Sequence, residues 1–156
     1  MNVPDLFSKV ALFEGLPPAD RIAISRASTL RSYRRGERIV TQGQPGDSFF
    51  LLIKGRVSVS ILSPEGREVV LSTLSAGDHF GEMALLDDAP RSATVTAAER
   101  SDLAVVTREA FFDLLKGNFV LIRALLSTFS RRLRHANATI EGLASLDVKG
   151  RLARYF

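Results

Sequence analysis

The side chains best placed to do chemistry fall in one stretch, Gly77-Asp78-His79-Phe80-Gly81-Glu82-Met83-Ala84-Leu85-Leu86-Asp87-Asp88-Ala89-Pro90-Arg91-Ser92-Ala93-Thr94-Val95. Gly81 lets backbone approach a ligand closely. Met83 to Leu86 can form a single helical turn, whose free N–H groups attract an anion. Arg91 offers a planar fork of donors that matches phosphate. Ser92 adds a hydroxyl and a backbone N–H at the same place, and Glu82 can accept hydrogen bonds from sugar hydroxyls. The set suits a sugar phosphate with one ring-constrained charge. The competing reading is a plain turn between two strands, with Glu82 and Arg91 as a surface ion pair.

Catalysis finds little support in these residues. Glu82 resembles a general base, but no Ser-His-Asp grouping or acidic pair accompanies it. A binding module needs no turnover, so the chain is expected not to be an enzyme. His79 and His135 are the only histidines, and there is no cysteine. That makes a poor metal-ligand set, and no metal or cofactor is expected. Disulfides and iron–sulfur ligation are excluded outright. His79 reads as a histidine at a strand end.

The elements that must position these groups are legible around them. Leu16-Pro17-Pro18-Ala19-Asp20 looks like a helix start, since proline suits the first helical turn. From about Ser28 to Thr107, glycines punctuate short runs rich in β-branched and aromatic residues. The runs are Arg38-Ile39-Val40, Phe49 to Ile53, Val57 to Ile61, Val69-Val70-Leu71, Ser92 to Thr96, and Leu103 to Val106. Val57, Val59 and Ile61 alternate with serines, the period of a half-buried strand. Pro64-Glu65-Gly66 turns one such run into the next. Many short strands of this kind predict an antiparallel β jelly roll.

After Thr107, a good N-cap, the pattern turns helical. Gly117 breaks the run. Asn118 then caps a longer helix reaching about Leu146. Ile122, Leu126, Phe129, Leu133, Ala136, Ile140 and Leu143 recur at alternating spacings of four and three, the a and d positions of a coiled coil. A seam so narrow predicts pairing with a second copy of the chain. The alternative is an amphipathic helix lying on its own domain. Ala136 is the small residue on the seam, where backbones could approach closely.

Composition sets the outer bounds. The chain has 156 residues, 46% of them hydrophobic and 24% charged, enough apolar matter for a core. Net charge is +4, mostly arginine, densest at Arg31 to Arg35 and Arg131 to Arg134. Basicity can mark nucleic-acid binding. The basic runs are not interleaved with aromatics as a single-strand binder's would be, and a solvated surface is the better reading. Met1 to Leu12 carries Asp5 and Lys9 and no sustained apolar stretch, so no leader is expected. No apolar run approaches the ~20 residues of a membrane helix. A cytoplasmic protein follows.

The stretches Phe80-Gly81-Glu82-Met83-Ala84-Leu85 and Pro90-Arg91-Ser92-Ala93-Thr94-Val95 resemble the phosphate-binding cassette of cyclic-nucleotide-binding domains. Gly36-Glu37, Gly43-Gln44-Pro45-Gly46-Asp47 and Ile53-Lys54-Gly55-Arg56-Val57 match that family's glycine pattern. Leu143 to Arg151 is similar to the hinge and first DNA-domain helix of the catabolite activator (cyclic AMP receptor, CRP/FNR) branch of bacterial transcription regulators. The resemblance implies a jelly roll, or double-stranded β-helix, with N-terminal helices and a long C-terminal dimerisation helix. It implies three segments: a nucleotide-binding β-roll over 1–117, the dimerisation helix over 118–146, and over 147–156 a hinge leading to a DNA-binding domain. Those hinge-like residues favour a trimmed form of a longer chain over a stand-alone sensor.

The resemblance also implies roles. Glu82 would hold the ribose 2′-hydroxyl, Arg91 and Ser92 the cyclic phosphate, and Gly81 with the Met83–Ala84 backbone would line the sugar. The family reads the base from its long helix with a threonine–serine pair; here Ala136 and Asn137 stand in those positions. Asn137 has donor and acceptor and could read either purine edge, so cAMP is expected with cGMP open beside it. One branch of the family senses gas through haem, a reading that His79 alone does not sustain. The implied partners are a cyclic nucleotide, a second copy, and DNA only through a further domain. The alternative is a relative that has lost its nucleotide and serves as a dimerisation or protein-interaction domain.

Overall fold

In the computed structural model, residues 7–155 are described. The expectation of no leader over Met1 to Leu12 therefore falls partly outside them, as does Phe156. Among the described residues, eight strands form two four-stranded antiparallel sheets, as the glycine-punctuated runs predict. One sheet has the order β1 (Ser28–Tyr33), β8 (Ser101–Thr107), β3 (Ser48–Lys54), β6 (His79–Phe80). The other runs β2 (Arg38–Val40), β7 (Thr94–Ala97), β4 (Arg56–Leu62), β5 (Glu68–Ser75). The pairing of sequence-distant strands, such as β1 with β8 and β2 with β7, is the wrapped jelly-roll connection. β4 and β5 form the hairpin expected around Pro64-Glu65-Gly66.

Strand alternation explains the core. Phe50 and Leu52 of β3, Val57 of β4, Phe80 of β6, Val95 of β7 and Leu103 of β8 form one buried cluster. Phe49 and Leu51, on the opposite face of β3, are also buried. The Phe49 ring sits 5.0 Å from Phe111 of helix α3 (Arg108–Leu115). A strand covered on both faces needs a continuous apolar run, which Phe49 to Ile53 supplies.

Helix α1 (Pro18–Ala27) opens with Pro18 in its first turn, as expected. The Thr107 hydroxyl accepts from the Ala110 N–H at 3.3 Å, the predicted cap of α3. The Asn118 Oδ1 accepts from the Leu121 N–H at 3.1 Å, so Asn118 caps α4 (Phe119–Tyr155). The helical turn expected over Met83 to Leu86 is α2 (Glu82–Leu86), one residue earlier.

Three differences from the sequence reading have physical causes. β1 forms where only a basic run stood out, because an edge strand can leave Leu30 and Arg31 exposed and needs no apolar pattern. The two-residue β6 is too short to show any period. Helix α4 does not stop near Leu146 but continues to Tyr155. No proline interrupts it there, and Asp147 and Arg151 form an i,i+4 ion pair at 3.1 Å. The seam begun at Ile122 reaches Asp147, Gly150 and Arg154 and so gives out before the helix does.

The chain forms two compact units, one up to Leu121 and one from Ile122 onward. No helix among the described residues is long and apolar enough to cross a membrane.

Candidate functional site

β6, α2 and the start of β7 carry the motif. Gly81 closes β6 with φ 91°, a left-handed conformation that suits glycine, and α2 begins on the next residue. This reversal turns Glu82 inward. Glu82 is 1% exposed and Arg91 7%. Neither side chain is at the surface, where the competing reading placed them.

Arg91 is held as a built part of the fold. Its Nη1 donates to Gly81 O and its Nη2 to Ser48 O, each at 2.8 Å. Its guanidinium lies 5.7 Å from the centre of the Phe50 ring. Its backbone pairs with the opposite loop, the Arg91 N–H donating to Gln44 O and the Gly43 N–H to Arg91 O. Burial pulls the guanidinium below its ordinary pKa, while Asp47 and Glu82 raise it and Arg108 lowers it. An arginine keeps its charge through such shifts. Two of its five donors go to carbonyls, which fixes the plane of the rest. A cleft of about 370 Å³, lined by Tyr33, Ile39, Gln44, Ser48 and Phe50, reaches Arg91.

Glycines make this packing possible. A Cβ on Gly81 would stand 2.8 Å from Arg91 Nη1. One on Gly46 would stand 2.7 Å from the Arg91 guanidinium and from Ala84 Cβ. The Gly46 backbone is therefore pressed against the arginine, a reason for its place in the glycine pattern that spacing alone does not give.

Of the other expected ligand residues, Ala84 is buried, while Met83 and Ser92 are exposed. The Ser92 Oγ lies 3.9 Å from Met83 Sδ. Gly81, Glu82, Met83, Ala84, Arg91 and Ser92 thus come together around one turn. Ala136 and Asn137 lie on α4, in the second unit, and are exposed. On the seam, Leu126, Leu133, Ile140 and Leu143 are 61–63% exposed, Ile122 is 37% exposed, and Phe129 is half-buried.

Sequence reasoning passed over one residue and gave a second no part in the site. Arg108 braces the cassette: Nη1 donates to Asp88 Oδ1 at 2.7 Å and Leu85 O at 3.3 Å, and Nη2 to Gly46 O at 3.2 Å and Ala84 O at 3.4 Å. A cation on the last carbonyls of a short helix is favourable. Its position just after the Thr107 cap was the signal available. The second is His79, buried at the end of β6 with Nδ1 3.4 Å from Glu82 Oε2. Among the described residues, no three His, Asp or Glu side chains cluster as a metal site would need. A larger cleft of about 470 Å³ lies between α1 and the end of α3, and none of this charged set lines it.

Comparison with known proteins gives consistent matches. The model of the cyclic nucleotide-binding domain family matches residues 30–118. A cAMP-dependent protein kinase regulatory subunit from Mycosarcoma maydis is 42% identical over 146 residues, covering 88% of this chain and 28% of its own length. A CRP-like cAMP-activated global transcriptional regulator from Mycobacterium tuberculosis is 27% identical over 150 residues, covering 96% of this chain and 67% of its own. The crystal structure of the Thermus thermophilus catabolite activator protein superposes with a TM-score of 0.78 at 33% identity, covering 86% of this chain and 63% of that one. The chain spans from about a quarter to two thirds of the length of these proteins, which are regulators by name rather than enzymes.

Proposed function

Since this chain belongs to the cyclic nucleotide-binding domain family, we propose that it is a ligand-sensing regulatory domain whose effector is a cyclic mononucleotide, cAMP before cGMP. The observation that carries this reading is that a carboxylate and a guanidinium, Glu82 and Arg91, are both buried beside the Gly81 turn. Arg91 is fixed by Gly81 O and Ser48 O, and Glu82 is directed inward by the Gly81 reversal. Burying charged groups is costly, so a fold that keeps both inside has a use for them. Arg91 and Ser92 bind the cyclic phosphate, Glu82 takes the ribose 2′-hydroxyl, and Gly81 with the Met83–Ala84 backbone lines the sugar. The relatives' names tie both the kinase subunit and the mycobacterial regulator to cAMP.

The signal leaves through α4. Its exposed seam, Ile122, Leu126, Phe129, Leu133, Ala136, Ile140 and Leu143, pairs with a second copy, and Ala136 and Asn137 meet the base. A nucleotide that contacts two helix arrangements differently shifts the balance between them. In a transcription regulator of the CRP/FNR type, the segment after Leu146 hands that shift to a DNA-binding domain in the cytoplasm. The segments 1–117, 118–146 and 147–156 then serve as sensor, dimerisation helix and connector. A second reading, the nucleotide module of a kinase regulatory subunit, has its own support in the 42% identity to the fungal subunit.

A thermal-shift panel of cyclic nucleotides tests the shared core of both readings. Binding to the native state alone adds roughly 2.7 kcal/mol of stability at a hundredfold excess over Kd. A rise with cAMP, smaller with cGMP and absent with 5′-AMP, is expected. No rise with any cyclic nucleotide at millimolar concentration would favour the relative that has lost its ligand.

A further inference from the structure

Glu82 is a carboxylate with almost no exposure, and the side chain beside it is a histidine that the nucleotide-binding reading leaves idle. We propose that His79 is a positioning residue for Glu82, holding its carboxylate in the orientation that accepts the ribose 2′-hydroxyl. The proposal rests on the cyclic-nucleotide reading above.

The backbone brings the two together. His79 begins β6 and Glu82 begins α2, with the left-handed Gly81 reversing the chain between them. His79 Nδ1 then lies 3.4 Å from Glu82 Oε2, with side-chain exposures of 4% and 1%. The imidazole is fixed by its other surroundings. Its backbone pairs with Leu51 of β3, and its ring packs 5.5 Å from the Phe49 ring. Phe49 is held in turn against Phe111. The histidine is therefore a rigid fixture on which Glu82 can lean.

The chemistry follows from the donor and acceptor inventory. A buried carboxylate needs hydrogen-bond donors to stay where it is. An imidazole that carries a proton on Nδ1 supplies one. A contact on Oε2 restrains the carboxylate's rotation. Such restraint raises affinity by removing side-chain freedom before the ligand arrives. A histidine that only filled core space would serve both sugar types alike. One that orients Glu82 matters for the nucleotide that carries a 2′-hydroxyl.

That difference is the test. Calorimetric titrations would compare cAMP with 2′-deoxy-cAMP on the wild type, on His79→Phe, which keeps the ring and loses the donor, and on His79→Asn, which keeps a donor near Nδ1. The wild type is expected to prefer cAMP. His79→Phe should narrow that preference by about three- to tenfold, the range of one net hydrogen bond, while 2′-deoxy-cAMP binds nearly as before. His79→Asn should keep most of the preference. In a Glu82→Gln background, His79→Phe should cost little more. If His79→Phe weakens both nucleotides equally, or leaves their ratio untouched, His79 is a core residue and the proposal falls while the role of Glu82 stands. If the wild type does not distinguish the two nucleotides, the ribose role of Glu82 fails first and takes this proposal with it. Should His79→Phe not fold, His79→Leu is read in the same way.

Discussion

The cassette and the long helix treat their informative residues in opposite ways. In the cassette, charged side chains are buried: Glu82 at 1% and Arg91 at 7% exposure. On α4, apolar side chains are out: Leu133 and Leu143 are both 63% exposed. Each arrangement is costly as it stands. A buried charge gives up hydration, and an exposed leucine stripe gives up burial. The cassette offsets its cost within one chain, through the Arg91 bonds to Gly81 O and Ser48 O and the Arg108 brace. Among the described residues, the exposed leucines of α4 have no such offset. Under the proposed function, the cassette is a site that one copy builds, and the helix seam is completed by a second copy.

The largest effect expected from that contrast is on assembly. Leu133→Asp places two like charges face to face in a paired seam. It forfeits the burial of two leucines, about 3 kcal/mol or more per dimer, which is over a hundredfold in the association constant. Sedimentation velocity should show a wild-type dimer and a monomeric variant. The variant's cassette should still bind nucleotide, since Leu133 lies outside the first compact unit. A variant that remains dimeric breaks the contrast, because the seam would then not be where copies meet.

Next in size is the cassette's own anchor. Arg91→Ala removes the phosphate contact and is expected to weaken cAMP by about tenfold or more, since a charged hydrogen bond is worth roughly 1.5–3 kcal/mol. It also strands two carbonyls, so the ligand-free protein should melt lower. Arg91→Lys separates the two effects: it keeps the charge and loses the fork, and should recover part of the affinity. Calorimetry and melting of the three proteins would check both. Unchanged affinity in Arg91→Ala would mean that the arginine is a structural strut and no ligand residue.

The two regions were also unequally legible. The helix seam could be read directly, because a four–three alternation is a property of spacing. Its end could not, since beyond Leu143 the seam positions fall on Asp147, Gly150 and Arg154 while the chain stays helical. Within the roll, β3, β4 and the Pro64-Glu65-Gly66 hairpin were visible as apolar runs and a turn. Strand β1 was hidden behind arginines, because an edge strand asks little of its outward side chains. The cassette was visible as a set of residue types, but not as a geometry. Nothing in the order Gly-Glu-Met-Ala indicates that Glu82 folds back onto His79, or that Arg91 spends two donors on carbonyls. Arg108 lies far along the chain from the loop it braces, and only the wrapped topology brings the two together.

The smallest prediction sets the same substitution in both regions. Gly46 is pressed against the Arg91 guanidinium and Ala84, with 2.7 Å available to an added Cβ. Gly142 sits on α4, off the seam, with nothing within 4 Å of its added Cβ. In Gly46→Ala the methyl must move an arginine held by two hydrogen bonds, and overpacking of that kind costs about 1–3 kcal/mol. Nucleotide affinity should fall with it, because the guanidinium is what moves. In Gly142→Ala the methyl meets no obstacle and removes backbone freedom from the unfolded chain, so the helix gains about 0.5–1 kcal/mol. Chemical denaturation should register opposite signs for the two, with an unchanged association constant in Gly142→Ala. Equal, near-zero effects would show that the loop carrying Gly46 yields to a methyl group. The cassette would then be softer than its hydrogen bonds imply, and the ligand, rather than the fold, would be what finally locks Arg91.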